Sequence, residues 1–167
     1  KLSIEEDVVK IIKQVKNLNI EIDILYNNAG LMTPYKADYF NHSWEDWMLS
    51  MKVNVFAVYS LCTAFIPLML ENNFGRIINV ISGIEHEPEL APYGASKWDL
   101  IKLTDDLAIK LKNTNVRINT LYPRWLRTHL GRDFVDPAVD ALLFGVLSPS
   151  LIVHNGSNGE SHLAIRK

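Results

Sequence analysis

The strongest constraint on this chain is an alternation of two periodicities. Stretches with apolar residues at helical spacing trade places with short β-branched runs, in the order helix, strand, helix, strand, helix, strand, helix, strand. The first helix carries Val8, Ile11, Ile12 and Val15, and Ser3 and Glu6 stand before it at capping-box spacing. Strand runs follow at 22–26 and 76–81. The second is nearly continuous in apolar residues, as strands buried on both faces are. Between them, 44–72 reads as a long helix with a wide apolar face, Ser43 as its N-cap and Asp46 three residues on. Asn72-Asn73-Phe74-Gly75 is its stop signal. A third helix over 93–112 places Leu100, Leu103, Leu107 and Leu111 on one face. The third strand, 115–121, is broken at Pro123; a weaker run at 151–153 and a strand-like piece after Glu160 close the chain. This order specifies an α/β fold with a doubly wound parallel sheet, helices on both faces, and ligands bound beyond the carboxyl ends of the strands.

At 167 residues the chain has the length of one domain, with no repeat, low-complexity tract or linker. Seventeen Lys and Arg against nineteen Asp and Glu leave a net charge of −2, and the absence of a basic run argues against a nucleic-acid partner. No run reaches the roughly 18 uninterrupted apolar residues of a membrane span, so no membrane partner is expected. No secretory signal is visible, and the lone Cys62 excludes an intramolecular disulfide. Both features point to a reducing, cytoplasmic compartment. Asn41-His42-Ser43 and Asn155-Gly156-Ser157 are therefore read as chance sequons.

The residues that carry chemistry lie just after the strands. Tyr93 and Lys97, in Tyr93-Gly94-Ala95-Ser96-Lys97, are four apart at a helix start and so project from one face. An ammonium beside a phenol favours the phenolate and lowers the tyrosine pKa toward the range useful for proton transfer. Ser82 closes the preceding strand, where its hydroxyl can bond a carbonyl oxygen in the same place. Read alone, the pattern is equally that of a surface Tyr and Lys with a turn serine. Glu85, His86, Glu87 and Glu89 fall between Ser82 and Tyr93; they read as a solvated loop, and no metal site is expected from them.

Together with these residues, Asn27-Asn28-Ala29-Gly30 after the first strand, Asn54 in Lys52-Val53-Asn54-Val55-Phe56, the run from Gly75 to Ser82, Arg117-Ile118-Asn119 and Pro123 stand in the order and at the spacing of one family. On them the chain resembles the short-chain dehydrogenase/reductase family, over nearly its whole length. The resemblance implies a Rossmann-like fold and NAD or NADP as cofactor. It implies a catalytic set of Asn54, Ser82, Tyr93 and Lys97. Tyr93 would exchange a proton with a carbonyl or alcohol, Ser82 would orient that oxygen, Lys97 would lower the Tyr93 pKa and hold the nicotinamide ribose, and Asn54 would hold a water that relays protons to Lys97. Asn28, Ala29 and Gly30 would line the cofactor, as would Tyr93 and Lys97. Pro123 and Thr128, in Pro123-Arg124-Trp125-Leu126-Arg127-Thr128, resemble the family's Pro-Gly-x-x-x-Thr contact with the nicotinamide carboxamide, with Arg124 in place of the glycine. The ending resembles the carbonyl-reductase branch.

The family's Thr-Gly-x-x-x-Gly-x-Gly turn, whose glycines let backbone approach a pyrophosphate, has no counterpart in the 167 residues. Residues 1–167 are accordingly expected to be the C-terminal two-thirds of one partial domain, with the first strands absent from this sequence, roughly 60 to 80 residues at the usual length of βαβ units. Strand 22–26 would then be an apolar sheet edge. The expected activity is hydride transfer between a nicotinamide cofactor and a small ketone or secondary alcohol, in a homodimer or homotetramer built through helices 44–72 and 93–112. The alternative is a non-catalytic subunit or oligomerisation module of the same fold.

Overall fold

The computed structural model describes residues 1–33, 35–82, 87–122 and 161–163. Helix α1 (Glu5–Asn17) leads to strand β1 (Ile24–Asn27). Helix α2 (Trp44–Met51), a π-helical turn (Lys52–Phe56) and α3 (Ala57–Glu71) form one continuous stretch before β2 (Gly75–Val80). Helix α4 (Ala91–Leu111) precedes β3 (Val116–Tyr122), and β4 spans Ser161–Leu163. The strands form one sheet in the order β1-β2-β3-β4, every neighbouring pair parallel. This is the Rossmann-like α/β architecture that the alternation implies. The run at 151–153 lies outside the described residues.

The crossovers from β1 to β2 and from β2 to β3 step the same way across the sheet. Right-handed connections therefore bring α3 and α4 onto one face. There they share a single core: Val58, Cys62, Ile66 and Met69 from α3, Leu100, Ala108 and Leu111 from α4, against Ile77, Val116 and Ile118. All six residues of β2 are buried, as its sequence requires. Arg76 meets that burial at the N-terminal end of the strand, donating to the carbonyls of Gly75 and Asn115 at 2.8 and 2.7 Å and lying 4.4 Å above the Phe74 ring. Gly75 is required by contact, because a Cβ there would stand 2.5 Å from the Met69 sulfur.

Ser43 caps α2 as its position in the sequence indicates. Its hydroxyl accepts from the Asp46 N–H at 3.2 Å, and Asp46 accepts from the Ser43 N–H at 2.9 Å. Lys36 adds an ion pair to Asp46 at 2.6 Å. Asn73, at φ 51°, ends α3 in the left-handed conformation. At α1 the expectation fails: the N-cap is Ile4, with no side-chain cap, rather than Ser3. Glu5, Glu6 and Asp7 in the first turn instead set negative charge against the positive end of the helix dipole.

The stretch Trp44–Glu71 is long and apolar enough to cross a bilayer, but half of its most apolar window is buried within the fold. A core helix has that signature. Among the described residues β1 is the edge strand, with Ile24 half exposed. A cavity of about 450 Å³ lies beside it, lined by apolar residues of α1, β1 and α3 that include Ile11, Val15, Ile22 and Phe65. The apolar edge expected at 22–26 is thus present.

Loss of the capping hydroxyl in Ser43→Ala is expected to cost about 1 kcal/mol of stability in chemical denaturation. The Asp46 carboxyl is lowered to about 2 from 3.8, chiefly by its hydrogen bond from Lys36 and next by the Ser43 backbone. A carboxylate lowered on folding stabilises fully above its unfolded value and loses that effect as pH falls through the folded one. Asp46→Asn is therefore expected to melt below the parent at neutral pH and to converge on it as pH falls toward 2.

Candidate active site

The C-terminal ends of β1 and β2 meet the first turns of α4, and the sequence-selected side chains gather there. Pro92 stands in the first turn of α4, where its missing N–H costs nothing. Tyr93, Ser96 and Lys97 follow, all buried. Ser82, two residues beyond β2, is half-buried and near enough to the Tyr93 phenol to favour its ionised form. The Lys97 ammonium lies 5.6 Å from the centre of the Tyr93 ring and donates to the Val80 carbonyl at 2.9 Å.

Asn54 sits in the π-helical turn, where the Ala57 N–H reaches back five residues to the Lys52 carbonyl. Such turns widen a helix locally and recur at functional sites. Its carboxamide clamps the loop after β1: the oxygen accepts from the Leu31 N–H at 2.8 Å, and the nitrogen donates to the Leu31 carbonyl at 2.9 Å. The second N–H goes to the Ser96 hydroxyl at 2.8 Å, and that hydroxyl in turn donates to the Tyr93 carbonyl at 2.6 Å. Both amide protons are thereby committed, and what remains for a water is acceptor capacity on the oxygen.

Asn28 and Ala29 are exposed at the end of β1, and Gly30 packs inward against Lys97. A Cβ at Gly30 would stand 3.3 Å from the Lys97 nitrogen and 3.6 Å from the Asn54 oxygen. Glycine at this position therefore keeps open a small polar cradle. Pro123 and Thr128 lie outside the described residues, as do Glu85 and His86 of the acidic loop. Among the described residues, no three His, Cys, Asp or Glu side chains come together as a metal site.

Electrostatics here is governed by burial. Lys97 is lowered to about 8 from 10.5 because its charged form has lost solvent. No carboxylate pairs with it among the described residues. Burial also acts on the Tyr93 phenol. The spacing of Tyr93 and Lys97 implies a lowered phenol; in the structure the net direction is upward, because desolvation of the phenolate outweighs the opposing effect of Ser82. Sequence reasoning also missed the Val80 carbonyl, the Leu31 clamp and Met32, which packs against Leu90 and Tyr93. None of these has a residue-type signal; two are backbone groups.

A buried ammonium that has one acceptor among the described residues and faces a cradle without a Cβ fits a ligand rich in oxygen acceptors such as hydroxyls. The ribose of a nicotinamide dinucleotide is such a group. Comparison with known proteins agrees with this geometry. The model of the short chain dehydrogenase family matches residues 1–137, and the chain belongs to that family. It is 35% identical over 136 residues to dehydrogenase/reductase SDR family member 4 of Bos taurus, covering 80% of this chain and 48% of that protein. Among solved structures, a 4-hydroxyisoleucine dehydrogenase complexed with NADH superposes with a TM-score of 0.85 at 25% identity, over 98% of this chain and 76% of that one. A gluconate 5-dehydrogenase from Burkholderia cenocepacia, complexed with NADP and tartrate, gives 0.79 at 25% identity, over 98% and 71%. The chain spans about half the length of the curated relatives it matches.

Proposed function

We propose that the protein is an NAD- or NADP-dependent oxidoreductase acting on a small ketone or secondary alcohol, with Tyr93 as the proton-transfer group. The observation that carries this reading is the buried Tyr93, one helical turn from Lys97, whose ammonium lies 5.6 Å from the centre of its ring. When bound, a nicotinamide dinucleotide supplies or accepts the hydride. Lys97 holds the ribose hydroxyls through protons left without a partner among the described residues, and Gly30 leaves the space for them. Asn28 and Ala29 offer further exposed contacts, and Pro123 and Thr128 are assigned to the carboxamide by resemblance alone.

In the reducing direction, the carbonyl carbon takes the hydride and its oxygen takes the Tyr93 proton. The tyrosine is left as phenolate and regains its proton from solvent. Ser82 bonds the same oxygen and stabilises the charge that develops on it. A phenol raised by burial keeps its proton at neutral pH, yet can give it to the developing alkoxide, a much stronger base than phenolate. That supports Tyr93 as the general acid when the reaction runs toward the alcohol. Asn54 serves by holding the loop of Gly30 and Leu31 against α4.

Tyr93→Phe, assayed in the intact protein against a panel of ketones with NADH and NADPH, is expected to lose about 10²- to 10⁴-fold in turnover with cofactor affinity unchanged. Full turnover in that variant contradicts the assignment.

Self-association is supported by exposed apolar stripes on both long helices. Phe56, Tyr59 and Leu70 lie along the π-turn and α3, and Trp98 and Ile109 lie along α4. We propose that a second copy of the protein covers them. Sedimentation is expected to give a dimer or larger assembly for the parent and a smaller one for Tyr59→Glu combined with Trp98→Glu; unchanged assembly in that double variant contradicts the interface.

A further inference from the structure

A chain of buried polar side chains runs behind the site and takes no part in the proton chemistry. Asn27 closes β1, Asn79 lies opposite it on β2, and Thr104 stands on α4. Asn27 Nδ2 donates to Asn79 Oδ1 at 2.8 Å, and Asn79 Nδ2 donates to Thr104 Oγ1 at 2.9 Å. The Thr104 hydroxyl donates to the Leu100 carbonyl at 2.7 Å. Asn79 and Thr104 have no solvent exposure, and Asn27 has 6%. Cys62 touches the far end, its sulfur 3.6 Å from Asn27 Nδ2.

The chain has one sense. The Thr104 proton is committed to Leu100, so its oxygen must accept. Asn79 must then present its NH₂ to Thr104 and its oxygen to Asn27, which presents its own NH₂ in turn. A buried hydrogen-bonded chain of this kind restrains the height and rotation of the elements it joins. Its place is specific. Asn79 immediately precedes Val80, whose carbonyl holds the Lys97 ammonium. Thr104 lies seven residues, about two helical turns, beyond Lys97 on α4. Asn27 begins the turn that delivers Gly30 to the same nitrogen. Two tethers therefore join the end of β2 to one face of α4: Val80 to Lys97, and Asn79 to Thr104.

We propose that Asn27, Asn79 and Thr104 are positioning residues that hold α4 at the height where the Lys97 ammonium meets both the Val80 carbonyl and the Gly30 cradle. The cofactor consequence rests on the oxidoreductase reading above; the placement of Lys97 does not. Without the Thr104 acceptor, the buried Asn79 N–H loses its partner, α4 shifts away from β2, and Lys97 gains solvent. Among the described residues the titratable side chain beside Lys97 is Tyr93, on the same helix.

The test uses Thr104→Val, which keeps the shape and removes the hydroxyl, and Thr104→Ser, which restores it. The Lys97 titration midpoint is read by NMR of labelled lysine in the intact protein, and NADH and NADPH affinity is read alongside. In Thr104→Val the midpoint is expected to rise from about 8 toward 10.5, with about tenfold weaker cofactor binding as an aligned charge-assisted hydrogen bond is lost. Thr104→Ser is expected to match the parent in both. Should the valine variant not fold, Thr104→Cys, with a weak acceptor in the same volume, is expected to show the same shift in midpoint. A folded variant of lowered melting temperature with an unmoved Lys97 midpoint overturns the proposal. A parent that binds neither cofactor overturns the oxidoreductase reading instead, while the midpoint still decides the role of Thr104.

Discussion

A lysine ammonium taken out of water must be met by oxygen atoms, and Lys97 organises its surroundings on that condition. It is 4% exposed, and among the described residues no carboxylate pairs with it. Among the described residues it has one acceptor, the carbonyl of Val80, the last residue of β2. An ion pair would have satisfied the charge and closed the site. Burial without an ion pair lowers its pKa to about 8, and among the described residues the Val80 carbonyl is its one hydrogen-bond acceptor.

Much of the nearby structure maintains that arrangement. Glycine at position 30 keeps a Cβ out of the space in front of the ammonium. Asn54 holds the Gly30–Leu31 loop by both backbone groups of Leu31 and reaches α4 through Ser96, so one side chain joins three segments distant in sequence. The π-helical turn that carries Asn54 interrupts an otherwise regular helix at this place. A parallel sheet supplies the frame, because its strands all end on one side and deliver the loops after β1 and β2 together.

The element order was legible in the sequence because burial on a sheet face and on a helix face imposes different periods. The Ser43 cap and the Asn73 stop were legible because each is decided by neighbours within a few residues. Ser3 misled for the complementary reason: a capping pattern describes what is possible locally, and acidic residues in the first turn answered the same need. Tyr93 and Lys97 could be placed on one face from their spacing, yet the direction of the Tyr93 shift could not be read. Proximity to a cation is visible in sequence, whereas the degree of desolvation depends on packing. The partners of Asn54 lie 23 and 42 residues away, and those of Asn79 lie 52 and 25 away, beyond any local pattern. The expected contacts at Pro123 and Thr128 fall outside the described residues.

The proposed role of Lys97, holding the nicotinamide ribose, is tested most directly by cofactor affinity across neutral to alkaline pH, for the parent and for Lys97→Met. A charged lysine binds hydroxyl oxygens more strongly than a neutral one, so NADH or NADPH affinity in the parent is predicted to weaken as pH rises through about 8. In Lys97→Met it is predicted to be weak at every pH and flat. Parent affinity that does not change through this range, or parent-like affinity in Lys97→Met, would contradict the account.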